Sequence, residues 1–290
     1  VHRSAARFPD RVALRFADRS LTYRELDAAV SRTAARLLSL GLTAGDRVAG
    51  YGTNSDAYVL GYLGAARAGL VHVPINYALR GEELSYLLAQ SGARAVLVDP
   101  ALRGELDRVL PDVPAEHVFA LRDEDASLLH EATDGPVPAL DAAPSADDLV
   151  QLLYTSGTTS KPKGAMMTHG ALVHEYTSSI VALDLRADDN PLICMPLYHS
   201  AAMHVFLLPY LAVGATITLL PAPDIPEILR LVESERIGSL FLAPTVWVPL
   251  ANHPDLDTRD LSSLRKAQYG ASIMPVTVLN RLRERYPDLG

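Results

Sequence analysis

Residues 154–164 concentrate side chains that could bind phosphate. Their sequence is YTSGTTSKPKG, and it directly follows an apolar run that is typical of a β-strand. Hydroxyl groups, lysine ammonium groups and backbone N–H groups bind oxyanions, and glycine lets the backbone approach a ligand closely. Only three of the 26 basic residues are lysines, and Lys161 and Lys163 both lie in this segment. The pattern therefore predicts a loop that holds the phosphate groups of a ligand.

The spacing of this loop differs from that of a Walker-type P-loop. The Walker motif places four residues between its two glycines and a lysine directly after the second one. Here six residues separate Gly157 from Gly164, and Ala165 occupies the position of the lysine. The segment therefore predicts a phosphate loop of another kind.

Short apolar runs alternate along the chain with stretches of helical period, as in α/β proteins with mainly parallel strands. A Pro-, Ala- and Asp-rich segment at 133–148 has neither period and indicates a boundary. We therefore predict a layered α/β fold with two lobes, residues 1–145 and residues 146–290, the second carrying the phosphate loop. Strands are predicted at 12–16, 47–51, 70–73, 93–98, 148–154, 192–195, 215–220, 238–242 and 265–269, and helices at 22–41, 56–68, 82–90, 170–183, 201–213, 224–235, 244–252 and 275–285.

Charge and cysteine content narrow the class of partner. The net charge of −8 argues against nucleic acid as the main partner, so we expect small-molecule ligands. The single cysteine, Cys194, excludes an internal disulfide and a cysteine metal cluster. Prolines interrupt the uncharged stretch 190–223, so no transmembrane helix is predicted there. With no signal peptide recognised in the first residues, we expect a cytoplasmic protein.

The loop resembles a known signature. Residues 154–164 are similar to the AMP-binding signature YTSGTTGxPKG of the adenylate-forming superfamily, which includes acyl-CoA synthetases, peptide-synthetase adenylation domains and firefly-type luciferases. Ser160 stands where that family usually has glycine, which restricts the backbone at one position. Further family-like segments are TYREL at 22–26, GDRV at 45–48, MPLYH at 195–199, APT at 243–245 and YGASIMP at 269–275.

The resemblance implies the fold of the superfamily's N-terminal domain and a reaction in two steps. A carboxylate attacks the α-phosphate of ATP to give an acyl-adenylate and pyrophosphate, and a thiol then attacks the acyl carbon. The expected ligands are ATP, Mg²⁺, coenzyme A and a carboxylic acid, with a homodimer left open. By resemblance, the catalytic residues are Lys163 and Thr158; the ATP- and AMP-binding residues are Thr155, Ser156, Gly157, Thr158, Thr159, Lys163, Gly164, Gly270, Ala271 and Ser272; and the acyl pocket contains Tyr198, His199, Met203 and Trp247.

The residues around the predicted acyl pocket indicate an apolar substrate. Amino-acid-activating relatives place an aspartate after the pocket aromatic, whereas His199 follows Tyr198 here, and 190–223 contains no carboxylate. Burying an unpaired ammonium group would cost several kcal/mol. We therefore expect an AMP-forming acyl-CoA synthetase for a fatty, aromatic or polycyclic acid. The alternatives are an acyl-AMP ligase that loads a carrier-protein phosphopantetheine and a non-catalytic nucleotide-binding domain.

Some family features have no counterpart before Gly290. They are the YGxTE motif that binds adenine and Mg²⁺, the ribose-binding aspartate, the hinge and the small C-terminal domain with its catalytic lysine. We therefore expect the chain to be the larger part of an N-terminal domain, with no metal site of its own and no activity in isolation.

Overall fold

The structure is a computed structural model that describes residues 1–123, 125–140, 143–155 and 161–287. Within these residues the helices are α1 His2–Arg7, α2 Tyr23–Ser39, α3 Asp56–Arg67, α4 Gly81–Ser91, α5 Arg103–Asp107, α6 Leu128–Thr133, α7 His169–Ala182, α8 Leu208–Val213, α9 Ile225–Ser234, α10 Pro244–Ala251 and α11 Val276–Arg285. The strands are β1 Val12–Phe16, β2 Arg19–Thr22, β3 Arg47–Tyr51, β4 Val71–Ile75, β5 Ala93–Val98, β6 His117–Ala120, β7 Leu149–Thr155, β8 Lys163–Thr168, β9 Pro191–Ile193, β10 Ile217–Leu219, β11 Ser239–Leu242 and β12 Lys266–Tyr269.

The chain forms two compact units, each built around one sheet. Apart from the first two residues, unit 1 consists of Arg3–Tyr23 and Ser178–Gly290, and unit 2 consists of Arg24–Thr177. These units differ from the two lobes predicted from the sequence, because β1 pairs with β10 and β7 joins the sheet that contains β4. Strand pairing, not the Pro-rich segment, determines which residues pack together.

Unit 1 contains the sheet β12-β11-β9-β10-β1-β2, in which only β2 is antiparallel to its neighbour. Helix α9 begins where the Asp224 carboxylate accepts a hydrogen bond from the backbone N–H of Glu227 at 3.0 Å. Its apolar face buries Ile228 and Val232 against the sheet residue Leu240 in the core of the unit. This packing supports the strands that end at the predicted acyl pocket.

Unit 2 contains the sheet β6-β5-β3-β4-β7-β8, and its only antiparallel pair among the described residues is β7 with β8. Ser55 caps helix α3 by accepting a hydrogen bond from the Tyr58 backbone N–H at 3.1 Å. Helix α4 ends at Gly92, whose φ of +64° is in the left-handed region that favours glycine. Both helices connect parallel strands, as the alternating pattern predicts.

Local patterns located most elements but missed three strands and the short helices α1, α5 and α6, and one predicted helix is subdivided in the structure. Strands β2, β6 and β8 were not predicted, and β8 starts inside the segment assigned to the phosphate loop. The helix predicted at 201–213 is a π-helix over Ala201–Leu207 followed by α8. Short strands at a sheet edge carry little periodic signal, because their partner supplies most of their stabilisation.

Candidate active site

The described ends of the phosphate-loop segment belong to a pair of antiparallel strands in unit 2. Strands β7 and β8 pair so that Thr155 is opposite Lys163 and Tyr154 is opposite Gly164. The hairpin therefore brings the two ends of the signature together. The predicted phosphate-binding residues Ser156, Gly157, Thr158 and Thr159, together with Ser160, lie outside the described residues, and their roles stay predictions.

Helix α4 supports the second arm of this loop. The Tyr86 hydroxyl donates a hydrogen bond to the Pro162 carbonyl at 3.1 Å, and Lys161 Nζ lies 5.0 Å above the Tyr86 ring. The Tyr154 hydroxyl donates to Gln90 Oε1. Tyr86 and Gln90 are four residues apart and therefore lie on one face of the helix. This spacing is visible in the sequence, but the sequence does not show that this face contacts the loop. Lys161 therefore makes a cation–π contact with the Tyr86 ring.

Lys163 is exposed at the first position of β8. Among the described residues, no carboxylate forms an ion pair with it, so its ammonium group can bind an external anion. A Cβ added to Gly164 would lie 3.2 Å from the Tyr154 ring, so glycine allows this ring to pack across the strand pair. Burial raises the pKa of Tyr154, which keeps its hydroxyl protonated and able to donate.

A second group of predicted site residues lies at one edge of the unit 1 sheet. Strands β12, β11 and β9 are parallel neighbours, so their carboxyl ends share an edge. Ligands of open α/β sheets bind preferentially at such edges. The structure brings to this edge the predicted residues that follow β9 and β12, namely Tyr198, His199, Gly270, Ala271 and Ser272.

Tyr198 and His199 lead into the π-helix. Their ring centroids are 4.3 Å apart, and the His199 carbonyl accepts a hydrogen bond from the Met203 backbone N–H at 3.3 Å. Partial burial lowers the pKa of His199, so its imidazole is neutral at pH 7 and can accept a proton. π-Helical turns often occur at functional sites, which agrees with the position predicted for His199.

An aromatic pair joins the π-helix to strand β11. Phe206 of the π-helix stacks on Phe241 of β11, with ring centroids 4.4 Å apart and an interplanar angle of 20°. A Cβ added to Gly270 would lie 3.4 Å from the Phe241 ring, so this glycine borders the aromatic surface. The sequence analysis did not single out Phe241, because one phenylalanine in an apolar strand carries no signal that distinguishes a site residue from a core residue.

Met203 and Trp247 occupy core positions in unit 1. Each is about 1% exposed. The Trp247 indole N–H donates to the Gln268 carbonyl at 3.0 Å, and its ring packs in the same cluster as Ile228 and Leu240. Their predicted role as acyl-pocket residues stays a prediction, and the packing shows that both also stabilise the unit.

Ala271 has a backbone conformation that alanine rarely adopts. Its φ is +69°, in the left-handed region that costs an L-residue about 1–2 kcal/mol. The residues after it rise to the surface, and Ile273 is 94% exposed. Strained backbone of this kind often occurs at functional sites, where the surrounding structure maintains it.

The described residues do not fit a metal site held by the protein. Across 1–123, 125–140, 143–155 and 161–287, no three His, Cys, Asp or Glu side chains are close enough to share a cation. In the same residues, none of the helices combines the length and apolar character that crossing a bilayer requires.

The sequence is similar to known adenylate-forming enzymes. A family model described as AMP-binding enzyme matches residues 1–289. A feruloyl-CoA synthase from an Amycolatopsis species is 37% identical over 288 residues, which cover 98% of this chain and 56% of that protein. The chain thus spans a little over half the length of this relative.

Solved structures share the fold. The inhibitor-bound N-terminal domain of FACL13 from Mycobacterium tuberculosis matches with a TM-score of 0.89 and 27% identity, covering 98% of this chain and 72% of that one. ATP-bound MatB from Rhodopseudomonas palustris matches with a TM-score of 0.85 and 28% identity, covering 97% and 57%. The predicted α/β fold of an adenylate-forming N-terminal domain is confirmed.

Proposed function

Because this chain belongs to the AMP-binding enzyme family, we propose that the whole protein is a CoA ligase that activates an aromatic carboxylic acid through an acyl-adenylate. The observation that carries this proposal is the hairpin that places Thr155 opposite an exposed Lys163 at the ends of the phosphate-loop signature. Relatives that match nearly the whole chain are named feruloyl-CoA synthase, indoleacetate–CoA ligase and 4-coumarate–CoA ligase.

In the first step, a carboxylate oxygen attacks the α-phosphorus of ATP, and the bond to the bridging oxygen of pyrophosphate breaks. No proton is transferred, so the protein contributes mainly by positioning the reactants and stabilising negative charge. Lys163 supplies a positive charge to the departing phosphates, and the backbone and hydroxyl groups of the loop supply hydrogen bonds.

The acid is proposed to be aromatic for two reasons. The half-buried Phe241 ring borders Gly270 and stacks on Phe206, which is 3% exposed, so an aromatic ring lies at the sheet edge that carries the predicted site residues. The stretch 190–223 has no acidic residue that could pair with a substrate ammonium group. A planar aromatic acid gains stacking and apolar burial there, whereas an amino acid would leave its charge unpaired.

In the second step, the sulfur of coenzyme A attacks the acyl carbon and AMP leaves. The thiol must lose its proton during this attack. The neutral imidazole of His199 is suited to accept that proton, because partial burial lowers its pKa. The products are an acyl-CoA thioester and AMP.

ATP–pyrophosphate exchange by the whole protein tests the proposal. A hydroxycinnamic acid should support exchange at least tenfold faster than a long-chain fatty acid or phenylalanine. Addition of coenzyme A should then yield a thioester, whereas a holo carrier protein should not be loaded. ATP–pyrophosphate exchange with the fatty acid but not with the hydroxycinnamic acid would refute the aromatic substrate. Loading of the carrier protein without formation of a CoA thioester would identify an acyl-AMP ligase. Absence of exchange with every acid would favour a non-catalytic nucleotide-binding domain.

A further inference from the structure

The hairpin that carries Thr155 and Lys163 joins its sheet through β4. Strands β3 and β4 share five ladder pairs, from Arg47 opposite Val71 to Tyr51 opposite Ile75. Among the described residues, β4 and β7 share one ladder pair, His72 opposite Gln151. The register of the strand that leads into the phosphate loop therefore depends on this position.

The two side chains at that pair also bind each other. Both are about 1% exposed, and Gln151 Nε2 lies 3.3 Å from His72 Nδ1. In this orientation the amide NH₂ group of Gln151 donates and Nδ1 of His72 accepts. Opposite residues of a ladder project to the same face, and a slip of one residue would move the Gln151 side chain to the other face. The hydrogen bond is thus specific to the observed register.

The imidazole is held in place by helix α3 and by β3. The rings of Tyr58 and Tyr62 approach it edge-on, with centroid distances of 5.8 Å and 5.3 Å. A Cβ at Gly50 would lie 2.7 Å from His72 Nε2, so only glycine leaves room for the ring there. The acceptor that Gln151 binds is consequently part of the rigid interior of unit 2.

The same cluster reaches the element that follows the hairpin. The Tyr62 hydroxyl lies 3.4 Å from the Tyr176 hydroxyl of α7, and α7 begins directly after β8. The cluster thus contacts β7 before the loop and α7 after it. Both flanks of the hairpin are thus anchored to one cluster, which consists of the buried side chains of Tyr58, Tyr62, His72 and Gln151 and the half-buried Tyr176.

We propose that His72 and Gln151 are positioning residues that hold the β7–β8 hairpin, and with it Thr155 and Lys163, in the place where the phosphates of ATP bind. This inference rests on the proposed function. One residue of slip displaces a strand by about 3.3 Å, and misplacement of a reacting group by 1 Å can cost about 10²-fold in rate. A buried pair that fixes the register can therefore control catalysis without touching the substrate.

The test compares variants of the whole protein by ATP–pyrophosphate exchange, urea unfolding and hydrogen exchange of β7. Gln151→Met and His72→Leu remove the hydrogen bond and approximately preserve side-chain size. His72→Asn retains an acceptor near the position of Nδ1. Thr53→Val is the matched control, because it removes another hydrogen bond in unit 2, from the Thr53 hydroxyl to Asp99 at 2.9 Å, away from the hairpin.

Gln151→Met and His72→Leu should each raise KM for ATP at least tenfold, and the double variant should be no worse than either single one. His72→Asn should stay within about threefold of the wild type, as should Thr53→Val. KM for the acid should change less than KM for ATP in every variant. An unchanged KM for ATP in Gln151→Met, with stability reduced as in Thr53→Val, would show that the pair has only a structural role and overturn the proposal.

If the wild-type protein shows no ATP–pyrophosphate exchange, the proposed function is refuted. Hydrogen exchange then tests the positioning role of His72 and Gln151 separately. Amides of β7 should exchange at least tenfold faster in Gln151→Met than in Thr53→Val. Equal protection in the two variants would overturn the inference.

Discussion

Replacing Lys163 with alanine should lower kcat/KM for ATP about 10²-fold while leaving the free energy of unfolding unchanged. A charge pair at about 4 Å contributes about 4 kcal/mol at an effective dielectric constant of about 20. Because Lys163 is exposed, solvent screening reduces this contribution to about 2.7 kcal/mol. A loss of about 2.7 kcal/mol in transition-state stabilisation corresponds to the expected 10²-fold decrease in kcat/KM. Stability should not change, because in the described residues no carboxylate pairs with Lys163.

Lys161→Ala is the matched control. It removes the same charge two residues away, but Lys161 Nζ lies over the Tyr86 ring. The value of kcat/KM for ATP, measured by ATP–pyrophosphate exchange at a series of ATP concentrations, should therefore change less than threefold. Lys163→Arg should restore only part of the activity, because a planar guanidinium does not replace a compact ammonium point charge. Equal losses in Lys161→Ala and Lys163→Ala would refute the reasoning, since the effect would then reflect net charge and not position.

Further predictions concern unit 1 and are checked by urea unfolding. Burial lowers the pKa of His204 to about 4, below the value near 6.5 of an unfolded chain, so the unfolded state binds more protons between these values. His204 alone should therefore account for a loss of about 3 kcal/mol in stability as the pH drops from 7 to 4, and His204→Gln should reduce the total pH dependence by that amount. Asp189→Asn should cost about 3 kcal/mol, because Lys266, 2.7 Å from that buried carboxylate, would keep only the exposed Asp184 carboxylate at 3.8 Å as a counter-charge; unchanged stability would contradict this. Ala271→Gly should raise stability by about 1 kcal/mol by relieving the left-handed strain, and a loss would show that the alanine methyl contributes packing.

Much of the fold was predictable because most elements carry their own periodic pattern. Strands β1, β3 and β5 begin and end at the predicted residues, and helices α4 and α9 lie within two residues of prediction. The three missed strands lie outside strong periodic runs. The pairing of β1 with β10 joins Leu14 to Ile217, and no local pattern reports a contact so distant along the chain. The two compact units therefore could not be derived from composition alone.

The sequence by itself determined which residues are candidates for chemistry, because the order of glycines, hydroxyls and lysines in residues 154–164 predicts a phosphate loop. Tertiary structure alone decided what holds that chemistry in place. The contact of His72 with Gln151 and the stack of Phe206 on Phe241 form between elements far apart in the chain. Such contacts follow from strand order and register, which depend on the packing of the whole unit, whereas the composition of a loop is local and can be read directly.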